Sequence, residues 1–467
     1  MTSKISPKTI FSSVALVIAL GSLEKSIVTT PLPMIGAELH AGGALTWVVT
    51  AYLLAATAVL PLYGKLSDLF GRVRMLNIGI GLFLAGSVAC ALSQDLQTLL
   101  AARVLQGLGG GGLIALAFTV IADTIPPREV GKYQGYISAV YAVSSIAGPL
   151  LGGYFTEQLS WRWIFWINLP LGALAVFLIN RNLKQLNVRR HSRFDWKGAG
   201  LLITVTTLTL LLLSPEAALP AVWLSAALPA VWLSAALGVA LLLLILIERR
   251  AHDPILPAHL ARLPSYLVSV LLVMLSQLLM FAVLVYLPLQ MQWQKGMSAS
   301  ESGAIMVIFM ICITAGAFVG GKLIGRTGHY KSFVAVGFGL AAVALWQIHF
   351  DAWVRLALGF AGIGLGLVLP ALSVVVQNAL PREDRGIGMS LFNFGRELGG
   401  AVGVAICSML FHFRLPAGSD GDLSRLAPDL LAPGFSATYI GMALIATLAL
   451  LITLLALKRH ELASISA

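Results

Sequence analysis

Charge is scarce in this chain. Lys, Arg, Asp and Glu make up 11% of its 467 residues, against about a quarter in soluble globular proteins. So few charges argue against a large soluble protein. Cysteine is scarce too. Cys90, Cys312 and Cys407 are odd in number, widely spaced and set inside apolar runs, which implies neither a disulfide framework nor a metal site. No Walker sequence occurs, so ATP drive is not encoded in these residues. The eight histidines form no H-E-x-x-H or comparable ligand set. Gly107–Gly112 fits G-x-G-x-x-G but follows no strand, which removes the dinucleotide reading. Ser22–Lys25 fits S-x-x-K without its partner motifs. The net charge of +11 comes with no basic patch interleaved with aromatics, so nucleic acid is not expected as a partner.

What is abundant is apolar length. Hydrophobic residues reach 58%, and their runs repeatedly approach the ~20 residues that cross a bilayer. Fourteen such segments can be read: 10–31, 45–63, 76–93, 97–121, 133–156, 162–180, 198–214, 227–247, 266–290, 301–321, 333–350, 354–378, 387–411 and 437–457. The first is too long for a signal-peptide core and carries Glu24 and Lys25, so it reads as a retained helix.

The basic residues test this count. With the N-terminus in the cytoplasm, 23 of the 31 Lys and Arg fall in cytoplasmic loops and 5 on the other side. A bias of that sign sets topology, and one miscounted helix would invert every later loop. Both termini are then expected on the cytoplasmic side of an inner membrane. The longest cytoplasmic loops flank the seventh and eighth segments. The expected architecture is all-α and integral to the membrane: a six-helix bundle over 1–182, linkers and a two-helix insert over 183–262, and a second six-helix bundle over 263–467. Residues 218–235 are a perfect tandem repeat, ALPAVWLSA twice. Two copies build no repeat surface, and a duplication in the turn of the insert explains them.

Charges at membrane depth are costly and mark function. Few exist here. Glu24 is the leading candidate for proton coupling, because a low-dielectric site lets a carboxyl group exchange a proton instead of staying ionised. At about 100° per residue, Gly21, Ser22, Glu24, Lys25, Val28 and Thr29 share one arc of the first helix. Both charges can face the interior without touching each other. Lys25 stays open between an ion pair, a tuning charge and a contact for an anionic substrate. Arg103, Gln106, Gly107 and Gly110 share one face of segment four. Gly148-Pro149-Leu150-Leu151-Gly152-Gly153 combines a helix breaker with small residues in segment five, predicting a kink and close packing. In segment thirteen Asn393, Arg396, Gly400 and Gly403 recur on one side, with Glu397 beside them. Tyr52, Gln106, Gln277, Tyr286, Asn393 and Arg396 are the candidate lining of a central cavity. A charged turn, Gly64 to Arg74, joins segments two and three, and Asp123 ends segment four.

These motifs carry a family resemblance. Gly64, Asp68, Gly71 and Arg72 resemble the G-x-L-x-D-x-x-G-R loop of the major facilitator superfamily. The run Arg103-Val104-Leu105-Gln106-Gly107 resembles its helix-four motif, and Ala147 to Gly153 its helix-five antiporter motif. Residues Leu23 to Pro33, Trp161 to Pro170 and Phe392 to Ala405 are similar to the fourteen-helix drug:proton antiporter branch. The resemblance covers nearly the whole chain. It implies a proton-coupled antiporter that exports small amphipathic molecules by alternating access, with no cofactor beyond the proton gradient. Glu24 and Arg103 would serve proton transfer, the 64–74 loop with Asp123 would gate, and Gly148 and Pro149 would form the antiporter kink. The expected partners are the bilayer, the substrate and protons, for a monomer. Alternatives are a dedicated exporter of an anionic or zwitterionic metabolite and, from another class, a lipid-modifying membrane enzyme. Four departures stand out. Glu24 replaces the usual Asp, Lys25 is unusual beside it, Glu397 stands where Gln is expected, and Ser144 stands where the helix-five motif often starts with Gly. In the second half, Gly321 to Gly328 echoes the loop, with Gly325 in place of the acid.

Overall fold

In a computed structural model, the described residues are 7–124, 127–183, 196–213, 230–248, 259–349, 353–380, 385–415 and 426–457. They form helices in this order: α1 (Pro7–Ile27), α2 (Leu32–Glu38), a 3-10 turn (Gly42–Thr46), α3 (Trp47–Phe70), α4 (Arg72–Leu92), α5 (Leu96–Thr124), α6 (Pro127–Gln158), α7 (Trp163–Trp166), α8 (Asn168–Asn182), α9 (Trp196–Leu213) and α10 (Ala230–Glu248). After a second 3-10 turn (Leu260–Arg262) come α11 (Pro264–Leu289), α12 (Ala299–Thr327), α13 (Tyr330–His349), α14 (Val354–Ala379), α15 (Arg385–Phe413) and α16 (Pro428–Ala456). Among the described residues there is no strand.

Local chemistry sets many of the helix ends. Pro31 cannot donate a backbone hydrogen bond, and the expected first segment stops at Ile27 before restarting as α2. Gly71, at φ 92, makes the corner between α3 and α4. Ser298 and Glu301 form a capping box that starts α12, and Gly328 ends it in the left-handed conformation. The sixth expected segment is split by Ile167 into α7 and α8.

Ten of these helices are long and apolar enough to cross a membrane, among the described residues. Long apolar side chains such as Phe318, Val343, Leu444, Leu451 and Leu455 point outward. An outward apolar face of this extent suits lipid.

Between helices in lipid, small residues replace the hydrophobic effect as the means of association. The Gly109–Gly112 run shows this. A methyl group on Gly111 would collide with the Ala56 backbone of α3, and one on Gly109 with the Phe83 backbone of α4. So α5 lies close against both. α1, α3, α4, α5, α6 and α8 pack as one bundle, and α11 to α16 as another. α9 and α10 pair with each other, and α9 rests on α3 and α15. The two bundles meet mainly where α6 crosses α12 and where α3 crosses α15.

Candidate functional site

The site begins at two consecutive residues of α1. Glu24 is 1% exposed and bonds to two other helices of its own bundle. One carboxylate oxygen accepts from Arg103 Nη1 of α5. The other accepts from Asn168 Nδ2 of α8 at 3.0 Å. Arg103, also 1% exposed, is held on every side. Its Nε donates to the Val48 carbonyl of α3 at 2.8 Å, and its Nη1 to Gln106 Oε1 at 2.5 Å. Its guanidinium lies 4.5 Å from the Tyr52 ring centroid and 5.8 Å from that of Phe165. Gln106 Nε2 in turn donates to Ser87 Oγ at 2.9 Å, where Asn168 Nδ2 also reaches at 3.2 Å. A buried ion pair is tolerable only when its remaining hydrogen-bonding capacity is satisfied. Here the Asn168 and Gln106 amides, the Val48 carbonyl and two aromatic faces do that, and the Ser87 hydroxyl joins the two amides.

Lys25 turns the other way. Its Nζ donates to Glu397 Oε2 of α15 at 2.6 Å, across the two bundles. Arg396 Nη2 donates to the other oxygen, Oε1, at 3.2 Å. Lys25 and Glu397 side chains are each 13% exposed and Arg396 20%, so this cluster is reachable where the Glu24 pair is sealed. Arg396 Nε is buried with no acceptor.

Other bonds between the bundles sit at one end of the molecule, opposite the α3–α4 corner. Gln292 Nε2 donates to the Thr30 carbonyl at 2.9 Å. Thr46 Oγ1 and Ser408 Oγ are 3.2 Å apart. Glu157, near the end of α6, accepts from the Ser300 amide at 2.7 Å and its hydroxyl at 2.6 Å. The Ser300 donors hold the Glu157 carboxyl below its ordinary range. At the same end Glu38 accepts from Arg162 Nη1 at 2.6 Å and Trp161 Nε1 at 2.7 Å. Partial burial raises the Glu38 carboxyl, but the bonds from Arg162 and Trp161 outweigh it, and the net shift is downward.

The α6 glycines explain how these contacts become possible. A methyl on Gly148 would run into Ser26 and come within 3.0 Å of the Ile27 amide nitrogen, so α6 lies directly on α1. On its other side, a methyl on Gly153 would come within 2.8 Å of Ser300 Cα, and one on Gly303 within 2.5 Å of the Pro149 carbonyl oxygen. Gly152 faces the Ile27 carbonyl of α1 in the same way. Pro149 sits inside an unbroken helix and at the crossing of α6 with α12.

Several expected residues fall elsewhere. Tyr52, at 1% exposed, and Gln106, at 0%, are sealed into the Arg103 network and do not line an open cavity. Aromatic and amide groups are needed there to pair the guanidinium. Tyr286 is also 1% exposed and stacks at 5.8 Å on Phe411 within its own bundle. Gln277 is buried in α11, and Asn393 is half-buried on α15. Of the corner, Arg72 donates to Ser67 Oγ, while the side chains of Asp68 and Asp123, with the surroundings of Gly64, lie outside the described residues. So do most of the linkers and most of the tandem repeat.

Sequence reasoning passed over Ser87 and did not single out Asn168, although both complete the Glu24 site. Each is a lone small polar residue in an apolar run, and that isolation was the available signal. Glu157, Ser300, Thr46 and Ser408 were also passed over. The Ser-x-x-Glu spacing at 298–301 is the signal that could have marked that end of α12.

Comparison with known proteins places the chain. The family model described as Major Facilitator Superfamily matches residues 14–404 and 269–465. An uncharacterized MFS-type transporter of Mycobacterium tuberculosis is 34% identical over 86% of this chain and 59% of its own length. The chain thus spans about three fifths of that relative. The multidrug transporter protein MdtP of Bacillus subtilis is 32% identical over 85% of this chain and 74% of its own. The efflux pump dotC of Dothistroma septosporum is 33% identical over 90% and 74%. Among solved structures, a D-xylose-proton symporter superposes with TM-score 0.69 at 15% identity, over 97% of this chain and 98% of that one. A bacterial homologue of the human lysosomal transporter Spinster gives 0.66 at 14% identity, over 98% and 97%. Both structures share the fold. With sequence relatives above 30% identity and a family model spanning most of its residues, the chain belongs to the Major Facilitator Superfamily, a family of transporters and not of enzymes.

Proposed function

We propose that the chain is a proton-coupled antiporter that exports small amphipathic molecules by alternating access. The relatives named as a multidrug transporter and an efflux pump support the export direction. α3, α6, α9 and α10 would complete the ten clear spans to fourteen, with both termini cytoplasmic in an inner membrane. On that orientation the Thr30, Thr46 and Glu157 contacts hold the two bundles together at the non-cytoplasmic end. The 64–74 corner would then gate the cytoplasmic side.

The observation that carries the coupling is the sealed pair of Glu24 and Arg103. As an ion pair it is neutral and internally satisfied. When a proton reaches Glu24, Arg103 loses its counter-ion and must find another acceptor, or the site must open to water. Either change moves α1 against α5, and α1 is the helix whose next residue reaches the other bundle. Proton arrival is thereby tied to the contact between bundles. Gln106 and Asn168 hold the two partners in line for the exchange.

Glu24→Gln keeps the hydrogen-bonding shape and removes the titration. In proteoliposomes with an imposed pH gradient, the variant should lose substrate-driven proton flux while still binding substrate. Undiminished flux would overturn the assignment. The second reading, a dedicated exporter of an anionic or zwitterionic metabolite, is favoured by the Lys25 cluster alone.

A further inference from the structure

We propose that Lys25, Arg396 and Glu397 form a subsite for the carboxylate of a monoanionic amphipathic substrate. The inference deepens the export reading and rests on it for the transport step.

Charge arithmetic in a poorly hydrated place carries the argument. The cluster holds two cations and one anion, in contact at 2.6 and 3.2 Å. The neighbouring Glu24 and Arg103 cancel each other. Among the described residues, the cluster is therefore left with one uncompensated positive charge. A carboxylate that takes Lys25 leaves Glu397 with Arg396, and every charge is then paired. A cation that takes Glu397 leaves three positive groups around one carboxylate, an arrangement that low dielectric penalises heavily. A neutral ligand leaves the excess charge as it was.

Two further features point to a ligand. Arg396 Nε is a buried donor with no acceptor, and an unmade bond to a charged donor is costly. The three side chains are also partly exposed, unlike the sealed pair next to them. A carboxylate that competes for Lys25 also breaks an ion pair that joins α1 to α15. Binding and release of the seam become the same event.

The test uses the full chain and three matched probes: naphthoate, naphthamide and naphthylmethylamine. Equilibrium dialysis in detergent measures binding, and proton flux in proteoliposomes measures transport. Naphthoate should bind about tenfold or more tighter than naphthamide, the equivalent of one charge-assisted hydrogen bond, with the amine weakest. Lys25→Gln should erase that preference. Glu397→Gln should strengthen naphthoate binding, because the cluster gains a second uncompensated positive charge. The opposite signs keep the test decisive if one variant fails to fold. Equal binding of the three probes, or a preference that survives in Lys25→Gln, would overturn the subsite. Equal proton flux with all three probes would sink the subsite and leave the export reading standing. Naphthoate binding that depends on Lys25, without any proton flux, would keep the subsite and sink the antiport reading.

Discussion

Two neighbouring residues of α1 carry opposite charges and meet opposite surroundings. Glu24 pairs inside its own bundle with Arg103, behind aromatic rings and amides. Lys25 pairs with Glu397 of the other bundle, at a partly open seam. The first pair is closed off from its surroundings, and the second is within reach of them. The difference follows from the helical step of about 100° between consecutive residues. One helix thereby connects a sealed ion pair to a partly open contact between the two bundles.

The sharpest way to break the comparison is to remove one cation from each pair. Arg103→Ala leaves Glu24 buried without a counter-ion and should cost about 3–5 kcal/mol. Lys25→Ala leaves Glu397 with Arg396 and should cost at most about 2 kcal/mol. Thermal unfolding in detergent reads both, and equal losses would show that the two environments do not differ as described. A second variant disturbs both pairs at once. Gly148→Leu forces α6 away from Ser26 and Ile27 on α1, at a cost of about 1–3 kcal/mol. It should lower both proton flux and substrate affinity. Loss of only one would mean that α1 does not move as a unit.

The smallest effect is expected at the end where α6 meets α12. Glu157 has its carboxyl held below the ordinary range by Ser300. Its contribution is therefore complete above the ordinary carboxylate value and lost as pH falls through the lower folded value. The group is exposed, so the change should stay under about 1 kcal/mol. Acid should loosen this contact, read as faster labelling of a cysteine introduced at the neighbouring buried Ala299 against one introduced at an unrelated exposed position. Glu157→Gln should remove the acid dependence. If the variant and the parent respond alike, another group governs that end.

Much of this site was legible in the residues. Glu24, Lys25, Arg103 and Glu397 are visible because charge in an apolar run is rare and expensive. The helical wheel already separated Glu24 from Lys25. The glycines of α5 and α6 announced close packing. The partners were not legible. Asn168 and Ser87 are single uncharged residues whose role depends on where α8 and α4 pass. Tyr52 and Gln106 looked like cavity lining, and only packing shows that they enclose Arg103. Tyr286 was likewise placed beside Phe411 by the stacking of α11 on α15.

What the sequence determined by itself is the class of molecule and the inventory of its costly groups. Apolar length and the placement of basic residues are local properties, and they are set by transfer from water to lipid before any helix meets another. Which groups pair was decided only by the tertiary structure. Glu397 lies 372 residues from Lys25, and Arg103 lies 79 from Glu24. Contacts at such separations depend on how helices cross, and crossing is governed by the small residues and backbone surfaces that meet at each interface.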